Sequence, residues 1–485
     1  MRAAVLWLMA LPAVAAGLGE RIESVLRGGG TAGLAFWGIH VVDATTGEPL
    51  YEKNADQLFV PASNAKLFTT ALALVRLGPE FRFETVVRAE AQPDPAGRLQ
   101  GSLWLSGGGD PSLSGRDYPY RKRTADGDPL RAIEELADQI AARGVRRIDG
   151  DIIGDDSLYP WEPYAPGWTQ GDSLWDYGAP VSALTVNDNM IRLTVRPGAG
   201  VGRPAIISLR PAVEYYVVHN RVQTVERPEG RVLVERMPGA RELHISGQIG
   251  LSDPGQTFAL AVDDPARYAA AVLAEALARR GIFIRGRPRA GHASTPGARM
   301  VPAVELGRRL SPALVEILRV INKESQNLHA ELVLRAVARV CAGAGTRRAA
   351  VEEMQRFLKE VGLPEGVCRL EDGSGLSRRN LVTPRAVTQL LVFMYNGPYR
   401  EVWTGLLPVG GQDGTLEDRF RDVPEGRNIR AKTGTLASSS ALSGYAGTPG
   451  GRVLAFSILV NNHAADTSEV RRLIDRISIV IAQGG

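Results

Sequence analysis

Two hydrophobic periods alternate along the chain. Near the start, Ala35-Phe36-Trp37-Gly38-Ile39-His40-Val41-Val42-Asp43 and Pro49-Leu50-Tyr51-Glu52 read as extended segments around Thr45-Thr46-Gly47, which predicts a hairpin. Leu67, Ala71 and Leu74 then recur at helical spacing, so the spacing predicts a helix with Ser63 in its first turn. Alternation returns from about Phe83 to Leu105, broken by Pro93-Asp94-Pro95-Ala96-Gly97, and a helix over 129–143 and a strand over 147–154 follow. From about Asn189 to Val262 the chain is strand-dense, with Gly and Pro at intervals, and reads as a small all-β module. An Ala-rich helix over 266–280 stops at Gly281 before a strand over 282–284, and the chain closes with a buried strand over 453–460 and a helix over 469–482. A domain built from both ends of the chain around a central insert accounts for this order, and no internal repeat or low-complexity tract interrupts it.

Composition agrees with a large globular protein. At 485 residues, 44% hydrophobic and 23% charged, the chain can bury substantial cores and divides into two to four domains. Its net charge of +4 is small for this length and basic blocks are absent, so nucleic-acid binding has no support. Met1 to Gly17 carries one positive charge, an apolar stretch and then small residues, the pattern of a secretory signal cut after Ala15 or Ala16; a retained interfacial anchor is the alternative. The apolar run is too short for a membrane span, and Ile479-Val480-Ile481 makes no second one, so the mature protein is expected in the periplasm or outside the cell. In that oxidising setting the two cysteines, Cys341 and Cys368, are candidates for a bridge, and the sequence leaves bridged and free forms open.

Three short motifs carry the chemistry. In Ser63-Asn64-Ala65-Lys66, residues three apart on a helix face the same way, which brings the Lys66 amine within reach of the Ser63 hydroxyl. That pairs a nucleophile with a base without histidine, and a helix N-terminus points N–H groups at an oxyanion. In Ser325-Gln326-Asn327 a turn is expected to enter the helix that follows, with Ser325 relaying a proton and Asn327 orienting Lys66 and gripping a substrate carbonyl. Lys432-Thr433-Gly434-Thr435 reads as extended, with Lys432 offering charge to a terminal carboxylate and helping to keep Lys66 neutral. Thr433 and Thr435 offer hydroxyls to that carboxylate, and Gly434 lets a ligand approach the backbone. Singly these motifs also suit a surface Ser and Lys, a helix cap and an ordinary tripeptide; together, ordered and widely spaced, they are specific.

Other constellations fail. The histidines His40, His219, His244, His292, His329 and His463 show no paired-ligand spacing, and His329, four residues after Ser325, reads as a helix residue and not as a triad member. No G-x-S-x-G elbow is present. Gly107-Gly108-Gly109 lacks the Gly-Lys-Ser/Thr of a phosphate loop and reads as a tight turn. Trp161, Trp168 and Trp175 are candidates for a domain junction, with core packing the default.

The S-x-x-K, S-x-N and K-T-G set resembles that of the penicillin-binding proteins. It is similar in particular to the class C, low-molecular-mass D-alanyl-D-alanine carboxypeptidases and endopeptidases, in which two domains are inserted between the first and second motifs. Here 262 positions separate Ser63 from Ser325, room for both, and 107 separate Ser325 from Lys432. Gly107 to Leu113, Gly154 to Ser157, Ala165 to Trp168, Ser182 to Asn189 and Asp372 to Arg378 also resemble this family.

The resemblance implies an α+β multidomain fold: a penicillin-binding and β-lactamase type α/β transpeptidase domain with inserted α/β and all-β domains. It implies a signal over 1–16, a catalytic domain over 17–84 and 298–485, an inserted domain over 85–181 and 259–297, and a nested β domain over 182–258. The implied activity is a serine D-Ala-D-Ala peptidase acting on peptidoglycan stem peptides through an acyl-enzyme on Ser63, with Lys66 as base, the N–H groups of Ser63 and Thr435 as oxyanion hole, and no cofactor or metal. β-Lactams would acylate the same serine. Related enzymes prefer a third stem residue with a free amino-carboxylate end, and Arg378, after the glycine turn of Gly373-Ser374-Gly375, is assigned to that carboxylate; a surface Arg, or Arg379 in its place, are the alternatives. A β-lactamase or esterase of the same clan, or a silent wall-binding scaffold, are the competing functions, and the intact motifs argue against the scaffold.

Overall fold

The computed structural model describes residues 17–121, 127–227, 230–293 and 302–484, so the expected signal over 1–16 lies outside the described residues. The two ends of the chain meet in one antiparallel sheet, ordered Ile429–Leu436, Ser439–Gly447, Val453–Asn461, Phe36–Asp43, Pro49–Lys53. Strand Phe36–Asp43 pairs with the hairpin partner Pro49–Lys53 on one side and with Val453–Asn461 on the other, Trp37 opposite Val460. Successive side chains of these strands enter different cores, which is why the strands are apolar almost throughout. Val41, Leu442, Ile458 and Val460 join the core beneath helices Leu18–Arg27 and Thr467–Ala482. Val42, Ala441, Tyr445 and Leu459 face the opposite core, built around helix Ala65–Leu77. That helix is buried from Ala65 to Leu74 and packs against Leu314–Lys323 and Asn327–Ala342, so the first two motifs sit on touching helices.

The insert is a second five-stranded sheet, ordered Pro288–Gly291, Ile152–Asp155, Leu103–Ser106, Glu84–Ala89, Val304–Leu310, covered by helices Arg131–Ala142 and Pro265–Arg279. The pairing moves one expected boundary: Val304–Leu310, read as part of the catalytic segment 298–485, pairs with Glu84–Ala89 and so belongs to the inserted sheet. A strand expected over 147–154 is split into Arg147–Ile148 and Ile152–Asp155, which join different sheets. The break falls at Gly150, where a Cβ would stand 2.4 Å from the Gly101 carbonyl. The strand-dense middle forms two three-stranded sheets, one of Gln256–Ala261, Met190–Arg196 and Ile206–Arg210, the other of Val217–Val225, Glu242–Gly250 and Val232–Glu235. Leu193, Val195, Val222, Ile245 and Leu260 fill the core they share.

Cys341 is exposed and Cys368 buried, and both are free, so the open question of a bridge resolves to two thiols.

Candidate active site

Ser63 lies in a single 3-10 turn, Ala62–Asn64, that runs into helix Ala65–Leu77. Ala62 holds φ at 47°, a left-handed value costly for a side-chain-bearing residue and kept only where the surroundings impose it. The imposing contact is visible at Gly375: its φ is 83°, and a Cβ there would stand 1.9 Å from the Ala62 carbonyl oxygen. The Asp372-Gly373-Ser374-Gly375 turn therefore lies directly against the serine turn, and it delivers the Ser374 carbonyl to Lys66.

The Lys66 ammonium is completely buried. It donates to Ser63 Oγ at 2.8 Å, to Asn327 Oδ1 at 2.6 Å and to the Ser374 carbonyl at 2.6 Å. Burial pulls its pKa down to about 7, against the carboxylates of Asp372 and Glu331, which pull it up. The sequence suggested burial together with the Lys432 charge as what keeps Lys66 neutral; burial is the dominant cause, and the opposing charges are those of Asp372 and Glu331. Lys432 is itself completely buried, and burial first and the Lys66 charge second hold it well below the ordinary range. The Lys432 ammonium donates to Ser325 Oγ at 2.9 Å and to the Thr433 carbonyl at 2.8 Å.

Ser325 sits in a left-handed turn, φ 62°, one step before the Gln326 cap of helix Asn327–Ala342. Asn327, at the start of that helix, spends its carbonyl on Lys66 and its amide N–H on the Tyr177 carbonyl, 2.8 Å away in the inserted domain. The third motif is strand Ile429–Leu436 at the edge of the large sheet. Asn64 Nδ2 donates to the Lys432 carbonyl at 3.1 Å and ties the strand to the serine turn. Gly434 serves this closure as well as any ligand: a Cβ there would lie 2.8 Å from the Pro61 carbonyl and 3.1 Å from Asn64 Nδ2. Thr433 Oγ1 donates to Thr415 Oγ1 at 2.9 Å.

Ser63, Ser325, Thr433, Gly434 and Thr435 line one cavity of about 370 Å³. Arg419 and Arg471 line it too and were missed, since nothing in sequence places a closing-helix arginine beside Ser63. Arg419 is committed to Asp475, whose carboxylate also lies within the field of the Arg471 charge. Glu331 was also missed, although it follows Asn327 by one helical turn. Its Oε1 accepts the N–H groups of Gly373 and Ser374 at 3.0 and 2.8 Å, and burial raises its pKa to about 7, helped by the Asp372 charge and opposed by those bonds. Asp372, equally buried, accepts from the N–H of Gly375, the Asn380 amide and the Trp168 indole. Trp168 is thus the tryptophan at the junction beside the site; Trp161 stacks on His292, 4.1 Å between centroids, inside the inserted domain.

Arg378 is not among the residues lining the Ser63 cavity. Its guanidinium lies 3.4 Å from Asp172 Oδ2, and the Tyr177 hydroxyl is 3.5 Å from the other oxygen of that carboxylate.

A serine hydrogen-bonded to a buried amine, on an α+β multidomain fold, defines the site. The chain belongs to the D-Ala-D-Ala carboxypeptidase 3 (S13) family, whose model matches residues 18–481. It is 36% identical over 459 residues to the D-alanyl-D-alanine carboxypeptidase of Actinomadura sp. (strain R39), covering 92% of this chain and 81% of that one. The crystal structure of penicillin binding protein 4 (dacB) from Haemophilus influenzae superposes with a TM-score of 0.82 at 22% identity, over 96% of this chain and 99% of that one. The same protein complexed with a novel β-lactam gives 0.75 at 22% identity, over 94% and 97%.

Proposed function

We propose that the protein is a serine D-Ala-D-Ala carboxypeptidase and endopeptidase of peptidoglycan, working outside the cytoplasmic membrane, with Ser63 as nucleophile and Lys66 as its base. The bonds of Lys66 carry this reading. A neutral amine has two N–H donors and one lone pair, and of its three partners the Asn327 and Ser374 carbonyls can only accept. Only the Ser63 hydroxyl can reverse and donate, so loss of the ammonium proton aims the lone pair at the nucleophile.

Ser63 Oγ then attacks the carbonyl of the penultimate D-Ala as its proton passes to Lys66. The N–H groups of Ser63 and Thr435 hold the oxyanion. The C–N bond breaks, the leaving amine takes a proton through Ser325, which Lys432 supports from 2.9 Å, and free D-Ala or a cross-bridge amine departs. Water hydrolyses the ester. Lys432, Thr433 and Thr435 receive the terminal carboxylate. β-Lactams acylate the same oxygen because their amide stands in for the scissile bond.

Arg378 and Asp172 suit the far end of a third stem residue with an amino-carboxylate terminus, the guanidinium taking the carboxylate and the aspartate the ammonium. Their single 3.4 Å contact leaves most of the Arg378 donors free, and Asn327 bonds the same segment through Tyr177. Among the described residues no helix is long and apolar enough to cross a membrane.

Digestion of purified muropeptides read by mass tests the activity. Wild type should release D-Ala from pentapeptides and Ser63→Ala should release none. Release by Ser63→Ala at the wild-type rate, or intact pentapeptide with folded wild type, would overturn the reading.

A further inference from the structure

Residues 187–189, Asn187-Asp188-Asn189, hold three successive left-handed conformations, with φ of 50°, 55° and 51°. All three are at most 3% exposed. Asn and Asp tolerate that region better than other side chains, yet a run of three is costly and persists only when contacts impose it. The side chains of two of the three are held within the insert. Asn187 donates to the Met190 carbonyl at 2.8 Å, and Asn189 to the Pro180 carbonyl at 3.0 Å.

Asp188 instead faces the catalytic domain. Its Oδ2 accepts from Arg116 Nη2 at 2.7 Å and its Oδ1 is 2.9 Å from His329 Nε2. Arg116 passes the contact on, because its other terminal nitrogen, Nη1, is ion-paired to Glu324. Arg116 is 6% exposed and His329 completely buried. Arg116 and Asp188 belong to the insert, whereas Glu324 and His329 bracket Ser325 and Asn327. One carboxylate of the insert therefore holds the second motif from both sides: through Arg116 and Glu324 immediately before Ser325, and through His329 two residues after Asn327.

Ser325 needs such holding. Its own φ of 62° is left-handed, and that conformation sets the Oγ that accepts from Lys432. A planar guanidinium bridging two carboxylates fixes a direction as well as a distance, which a flexible amine would not.

We propose that Asp188 is a positioning residue for the reaction: through Arg116–Glu324 and through His329 it holds the Ser325-Gln326-Asn327 corner in its reactive, left-handed form, so that the insert completes the active site. This inference rests on the acyl-enzyme reading above, and its test compares variants that all acylate, so failure of that reading would show separately as absent acylation in wild type.

The test measures acylation by benzylpenicillin in stopped flow, separating the dissociation constant of the initial complex from the acylation rate constant, with end-point stoichiometry counting competent molecules. Asp188→Asn keeps shape and left-handed tolerance while removing the charge. Its acylation rate constant should fall about tenfold or more per competent site, with the dissociation constant within about twofold. Glu324→Gln, at a less buried position that spares the fold, should slow acylation in the same way. Because both act through Arg116, the double variant should be no slower than the slower single one. A rate constant within about twofold of wild type in Glu324→Gln, or in competent Asp188→Asn, overturns the proposal, and so do losses that multiply in the double variant. If Asp188→Asn yields no competent protein, Glu324→Gln decides alone.

Discussion

The reactive pair is a balance between burial and two carboxylates. Burial favours the neutral Lys66 amine, while Asp372 and Glu331 favour the ammonium, and the balance pulls its pKa down to about 7, where the amine can serve as the proposed base. Acylation requires the unprotonated amine, so its rate should rise about tenfold per pH unit below 7 and level off above it. Glu331→Gln removes one charge that raises Lys66 while its amide oxygen still accepts the Gly373 and Ser374 N–H groups. The limb should then move to lower pH, as measured by stopped-flow acylation across pH 5–9; a limb that stays or moves upward would show that Glu331 does not set the base. At this scale the sequence revealed the Ser63–Lys66 pair because three-residue spacing on a helix is a local fact. It concealed Glu331 and the Ser374 carbonyl, since a backbone oxygen carries no motif and a helix glutamate looks like any solvent-facing charge until its turn is buried.

At the scale of elements, the site is a meeting of two turns and an edge strand. The Ser374 carbonyl reaches Lys66 only because Gly375 lies flush against the Ala62 carbonyl at a positive φ. Gly375→Ala adds a methyl where 1.9 Å is available and a side chain where φ is 83°, so the two turns must part. The variant should acylate at least about a hundredfold more slowly with benzylpenicillin and lose about 1–3 kcal/mol of stability in urea unfolding, the range of a strained, overpacked core position. Near-wild-type values for both would mean the turns have room that the geometry denies. Helices and buried strands were legible from their periods, including Ala65–Leu77, Pro265–Arg279 and Val453–Asn461. The left-handed corners at Ala62 and Ser325 were not, because neither residue favours that conformation and only tertiary contact imposes it.

At the scale of the whole molecule, the insert is bonded to residues that support the site. Tyr177 receives the Asn327 amide, Trp168 donates to Asp372, and Asp172 faces Arg378. Arg378→Ala should therefore slow hydrolysis of a diaminopimelate-type peptide about tenfold, the loss of one charge-assisted contact at a part-exposed side chain, while acylation by benzylpenicillin, which lacks that group, stays within about twofold. Equal slowing of both substrates would assign Arg378 to the fold of the site. The sequence revealed an insert from motif spacing and its β portion from strand density. It could not show that Val304–Leu310 returns to the inserted sheet, because strand pairing across some 200 residues leaves no local trace.

The central claim is that one oxygen, Ser63 Oγ, carries the acyl group. Intact-mass analysis and peptide mapping of protein treated with benzylpenicillin test it most directly. A single adduct of one penicilloyl group on the peptide bearing Ser63, absent from a folded Ser63→Ala variant, is the predicted result. An adduct on any other residue, or none on folded wild-type protein, would contradict the account.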